Sequence, residues 1–74
     1  MFAAFLLAIA EVYLKDGDNE YSKGEAYKAV HLYTEGLQVN CKEIQVNAAL
    51  YSNRAAAQLL FGKSWSFVPN IPVL

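Results

Sequence analysis

The chain is poor in the residues that staple a small fold or carry chemistry. It has a single cysteine, Cys41, and a single histidine, His31, so no internal disulfide can form and a four-ligand Cys/His zinc site cannot be filled. Charge is sparse too: six Lys and Arg against seven Asp and Glu give a net charge of −1. Lys15, Lys23, Lys28, Lys42, Arg54 and Lys63 are scattered along the chain, which excludes the basic patch that nucleic acid or an anionic membrane surface requires. Ser22, Ser52, Ser64 and Ser66 have only His31 as a potential base. Asp16, Asp18 and Glu20 are the only clustered carboxylates, and a spacing of two turns helical side chains to different faces, so neither an acid/base pair nor a metal site is supported. There is no glycine-rich phosphate loop. These absences exclude an enzyme and imply no cofactor and no metal. Cys41 beside Lys42 reads as a bystander thiol, and His31 as a surface histidine.

What is present is apolar. Of 74 residues, 55% are hydrophobic and 18% charged, too apolar for disorder and rich for the surface of so small a chain. A domain of this size without staples gains only about 3–5 kcal/mol from its core, so some apolar surface is expected to seek a partner. The opening run MFAAFLLAIA ends at Glu11 after ten residues, well short of the roughly 20 needed to span a bilayer. Its Ala8-Ile9-Ala10 has the small-x-small look of a signal cleavage site, but no Lys or Arg precedes it. Three readings stay open: a cleaved signal, a membrane-surface anchor, or an apolar helical or irregular start. The unpaired cysteine and the lack of an N-x-[ST] sequon point to the reducing cytosol. The expected location is therefore cytoplasmic or nuclear, with no membrane.

The periodicity is helical throughout. Helix formers dominate from Ala3 to about Lys23, interrupted by Gly17 between Asp16 and Asp18, and Gly24 is the first clear stop. Ala26, Ala29, Tyr33 and Leu37 lie at helical spacing and predict a second helix to Val39. After a polar connection, Ala48, Tyr51, Ala55 and Leu59 repeat that spacing through about Phe61, and Gly62 is a natural stop. Ala29, Gly36, Ala48, Ala55, Ala56 and Ala57 are expected to let helix axes approach while Tyr21, Tyr27, Tyr33 and Tyr51 fill the space between them. No hairpin pattern occurs. The fold class is all-α: an antiparallel helix-turn-helix arrangement of about three helices with an irregular C-terminal tail. Residues 1–12 form an apolar N-terminal segment and residues 13–62 a repeat region. Its first repeat covers about 14–40 and the first helix of its second about 44–61. Residues 63–74, with two prolines, are a non-repeat apolar tail.

LKDGDNEYSKGEAYKAVHLYTEGL followed by NAALYSNRAAAQLLFGK resembles the tetratricopeptide repeat family of the chaperone-cofactor type, built from helix-turn-helix units of about 34 residues. The likeness runs from about Tyr13 to Lys63, and NRAAAQ after an aromatic is its most specific element. The resemblance implies a protein-interaction module that holds the acidic C-terminal tail of cytosolic heat-shock chaperones in a carboxylate clamp. Carried over by position, Lys15 and Asn19 match the clamp Lys and Asn of the first helix, and Asn53 the Asn of the second repeat. Lys15 and Asn19, four apart, share a helical face, and Arg54 reads as structural. The residues also admit bland readings: a solvated Lys15, an Asn19 that caps or satisfies a bent helix, and an Asn53 that bridges backbone groups.

Several departures from the family pattern bear on function. Gly17-Asp18 stands where the family has a Gly before the clamp Asn, which puts a carboxylate at a position of close packing. One residue is missing between Tyr27 and Ala29, a phase change of about 100° unless the turn absorbs it. After Gly62 the sequence does not continue into the family's next helices, whose Lys and Arg complete the clamp, so the clamp is incomplete and tail binding is expected to be millimolar or weaker. Such a chain holds about one and a half repeats of a fold that is normally stable with three. Two alternatives follow: a truncated, non-functional product without an independent stable fold, or a small secreted or membrane-surface amphipathic protein. The incomplete stack is also expected to leave one face of the third helix open, to be covered by the tail or shared in self-association.

Overall fold

The computed structural model describes the backbone of residues 2–62 and the side chains of residues 4–60. The expected tail at residues 63–74 lies outside the described residues. Among those described, the chain is all-α: α1 (Phe2–Ser22), α2 (Ala26–Gln38) and α3 (Ile44–Gly62). α2 packs against both other helices, with a smaller contact between α1 and α3. This is the helix-turn-helix order that the periodicity predicts.

α1 runs without a break through Gly17, the expected interruption. It stops at Gly24, whose φ of 83° lies in the left-handed region that glycine adopts without steric cost. The Gly24 N–H donates to the Tyr21 carbonyl at 3.0 Å and the Glu25 N–H to the Glu20 carbonyl at 2.9 Å. These are the paired closing bonds of a Schellman cap. α2 ends in a similar way at Asn40, with φ 60°, and asparagine is among the few other residues that tolerate this conformation. Its N–H donates to the Leu37 carbonyl at 3.1 Å. The connection to α3 is tied down by Asn47, whose Nδ2 donates to the Cys41 carbonyl at 2.8 Å. Cys41 is buried in that turn.

Ala26, Ala29, Tyr33 and Gly36 form the buried stripe of α2. The stripe is continuous from the first residue of the helix. Ala10 of α1 and Leu50 and Ala57 of α3 are also buried, with Leu6, Leu7, Leu14 and Val46 packed alongside. The opening apolar run thus contributes one side to the core, while Phe5 of the run and Val12 just beyond it stay exposed.

Two glycines set the helix spacing. A Cβ on Gly17 would overlap the Tyr33 ring, and one on Gly36 would come within 2.9 Å of Leu50 Cδ2 and 3.0 Å of Tyr13 Cβ. All three helices meet at Gly36.

The packing corrects two expectations. Of the tyrosines expected between the helices only Tyr33 is fully buried; Tyr21, Tyr27 and Tyr51 are 38%, 68% and 57% exposed. The predicted packing stripe of α3 faces outward: Ala48, Tyr51, Ala55 and Leu59 are all exposed. α3 instead packs through Val46, Leu50 and Ala57, a second apolar line that the same sequence carries.

Candidate functional site

The fold brings α1, α2 and α3 together around one polar group. Gly17 lets the Tyr33 ring approach α1 closely, and the carboxylate of the next residue, Asp18, meets the tyrosine's hydroxyl. Tyr33 Oη donates to Asp18 Oδ1 at 2.5 Å, and Asn53 Nδ2 of α3 donates to the same oxygen at 2.9 Å. One carboxylate oxygen therefore gathers a donor from each of the other helices. Charge-assisted bonds of this kind are stronger than neutral ones. Burial first, and then the carboxylate that accepts its proton, push the Tyr33 hydroxyl well above the ordinary tyrosine range. It is a fixed donor at any physiological pH.

Asp18, Tyr21, Tyr33, Asn53 and Ala56 line a concavity of about 270 Å³. All three residues of the hydrogen-bonded group, Asp18, Tyr33 and Asn53, are in its wall. Of the residues expected to contact a ligand carboxylate, Asn53 lies on this wall. Lys15 and Asn19 are exposed on α1, and no hydrogen bond joins their side chains to Asn53 among the described residues. On an ideal helix Asp18 lies about 60° from Lys15 and about 100° from Asn19, so the face of α1 turned toward α3 is that of Asp18. Asn19 contributes its backbone carbonyl, which accepts from Ser22 Oγ at 3.0 Å.

Sequence reasoning missed Tyr33 and Asp18 as members of this site. Tyr33 was legible as core, but its ring lies where the glycine of α1 gives it room and its hydroxyl reaches Asp18. Asp18 was legible as a departure from the family pattern, but its partner Asn53 is 35 positions away and no local spacing links them. Arg54, next to Asn53, points elsewhere: its Nη1 donates to Thr34 Oγ1 at 3.2 Å and its guanidinium lies 5.5 Å from the Tyr51 ring centre. It ties α3 to α2.

A larger groove of about 410 Å³ is lined by Glu20 of α1 and by Tyr27, Lys28, His31 and Leu32 of α2. His31 Nε2 stands 3.9 Å from Glu35 Oε2, with its side chain 69% exposed, and the groove's lining holds no serine or cysteine nucleophile for it to activate. Among the described residues no group of three or more His, Cys, Asp and Glu is placed to hold a metal ion. None of the described helices is long and apolar enough to cross a membrane.

Over 49 residues the chain is 53% identical to tetratricopeptide repeat protein 4 of Homo sapiens, which covers 65% of this chain and 13% of that protein. The Mus musculus protein of the same name is 51% identical over 49 residues. The Hsp70/Hsp90 co-chaperone CNS1 of Saccharomyces cerevisiae is 46% identical over 52 residues, 69% of this chain and 13% of the yeast protein. The chain thus spans about an eighth of the length of these relatives, 13% in each case. No family model and no solved structure matches it. In sequence and in helix order the chain is an all-α, tetratricopeptide-like helical-repeat segment, similar to part of tetratricopeptide repeat protein 4.

Proposed function

We propose that the chain is a non-enzymatic protein-interaction segment of co-chaperone type, acting in the cytoplasm or nucleus. Its ligand in this reading is the acidic C-terminal tail of a heat-shock chaperone, held weakly through Lys15, Asn19 and Asn53. The observation that carries the reading is the likeness, over 52 residues, to CNS1, whose name describes an Hsp70/Hsp90 co-chaperone. The chemistry is consistent with it. A terminal carboxylate needs a cation and N–H donors; Lys15 is an exposed cation, and Asn53 an amide at the wall of a concavity. Weakness follows from the same geometry, because Asn53 already donates to Asp18. Self-association through the exposed stripe of α3 belongs to the reading as a secondary property.

Calorimetric titration with a peptide that ends in aspartate and a free carboxylate tests this. Saturable binding with Kd of about 1 mM, near −4 kcal/mol, is expected, and Lys15→Ala removes it. A Lys15→Ala variant that binds as the parent does overturns the assignment, and micromolar binding by the parent overturns its weakness.

A further inference from the structure

We propose that Asp18 is a built-in stand-in for the ligand carboxylate, so that the concave site is occupied by the chain itself. This deepens the reading above and rests on it. Two donors on the concave face, Tyr33 Oη and Asn53 Nδ2, converge on a single point between α1, α2 and α3, and Asp18 Oδ1 sits at that point at 2.5 Å and 2.9 Å. Two convergent donors on residues that line a 270 Å³ concavity are what a carboxylate-binding site presents. The carboxylate found there arrives from α1 rather than from a partner.

The placement is enforced by packing. Gly17 is in contact with the Tyr33 ring, which fixes α1 at the distance where the next side chain reaches the hydroxyl. An incoming carboxylate therefore meets two obstacles. Its donors are already engaged, and it must approach a like charge at hydrogen-bonding range. Asp18 is a specificity-determining residue: it turns a site with the donor geometry for acidic peptides into one that resists them.

The two obstacles separate by substitution. Asp18→Asn removes the charge and leaves an acceptor of the same shape, whereas Asp18→Ala removes both. Affinity for the acidic peptide is expected to rise several-fold in Asp18→Asn and at least about tenfold in Asp18→Ala, as read by calorimetry on the full chain. The gain is expected to disappear in the double variant Asp18→Ala/Asn53→Ala. Peptide is expected to shift the Asn53 side-chain amide resonances in Asp18→Ala and not in the parent. Circular dichroism reports whether each variant folds, and Asp18→Asn alone carries the test if Asp18→Ala does not.

Lys15-dependent binding that is unchanged by either Asp18 substitution overturns self-occupation and leaves the carboxylate reading standing. A gain that survives removal of Asn53 also overturns self-occupation. Absence of binding in the parent and in every folded variant overturns the carboxylate reading, and self-occupation with it.

Discussion

α2 and α3 carry nearly the same pattern and meet opposite fates. Ala26, Ala29, Tyr33 and Gly36 of α2 are buried, whereas Ala48, Tyr51, Ala55 and Leu59 of α3 face outward. Both stripes are small-aromatic-small at helical spacing, and both would pack if offered a neighbour. Among the described residues α2 lies between two helices, whereas α3 packs mainly on α2 with a smaller contact to α1. Where two apolar lines compete on one helix, the neighbour that is present selects between them, and α2 selects Leu50 and Ala57. An apolar stripe therefore marks a surface able to pack, and its burial depends on what stands opposite.

The comparison breaks most sharply at the two tyrosines. Tyr33→Ala empties a fully buried aromatic site and is expected to cost about 3–5 kcal/mol, the whole of what a core this size supplies. Tyr51→Ala on the outward stripe is expected to stay within about 0.5 kcal/mol. Thermal melts followed by circular dichroism would show the first without a cooperative transition and the second close to the parent; equal effects would contradict the burial described above.

Next in size are the glycines. Gly36→Ala drives a methyl into Leu50 and Tyr13, and Gly17→Ala drives one into the Tyr33 ring. Overpacking of this kind costs about 1–3 kcal/mol, measurable as a lower urea midpoint. Ala55→Val on the outward face is the control and is expected to change stability only by the small helix-propensity difference of a few tenths of a kcal/mol.

Tyr33→Phe isolates the hydroxyl. It leaves Asp18 with one donor instead of two and is expected to cost about 1–2 kcal/mol at neutral pH. The pH dependence sharpens this. The folded protein holds the Tyr33 proton above the ordinary range, so above about pH 10 the unfolded chain loses that proton first. The group's contribution is complete below the unfolded value and falls as pH rises past it. The parent should lose stability in alkali more steeply than Tyr33→Phe, and parallel curves would place the hydroxyl in a different environment.

The smallest effect on stability and the clearest on association is expected from the outward stripe. Tyr51→Lys with Leu59→Lys should leave the melt within about 0.5 kcal/mol and reduce any concentration-dependent self-association seen by sedimentation. A large loss of stability would mean that these side chains are covered.

Much of the fold was legible because its signals are local. Gly24 announces the end of α1 since only a residue free to take positive φ closes the helix there, and the α2 stripe was readable because its period matches one face. The exposure of Tyr21, Tyr27 and Tyr51 was not, since an aromatic at helical spacing carries the same signal whether or not a partner helix covers it. Of the candidate site, Asn53 was legible through family position, whereas its bond to Asp18 was not: α1 and α3 meet only after α2 has set their separation.

The helical class, the number of helices, the turn glycine and the poverty of catalytic and metal-binding groups follow from the amino-acid sequence alone, because propensity, periodicity and composition act over a few residues. Tertiary structure decided which face of α3 is buried and which carboxylate Asn53 holds. Both depend on how three helix axes are spaced, and that spacing is set by side-chain volumes meeting across the fold: Tyr33 on Gly17, and Leu50 with Tyr13 on Gly36.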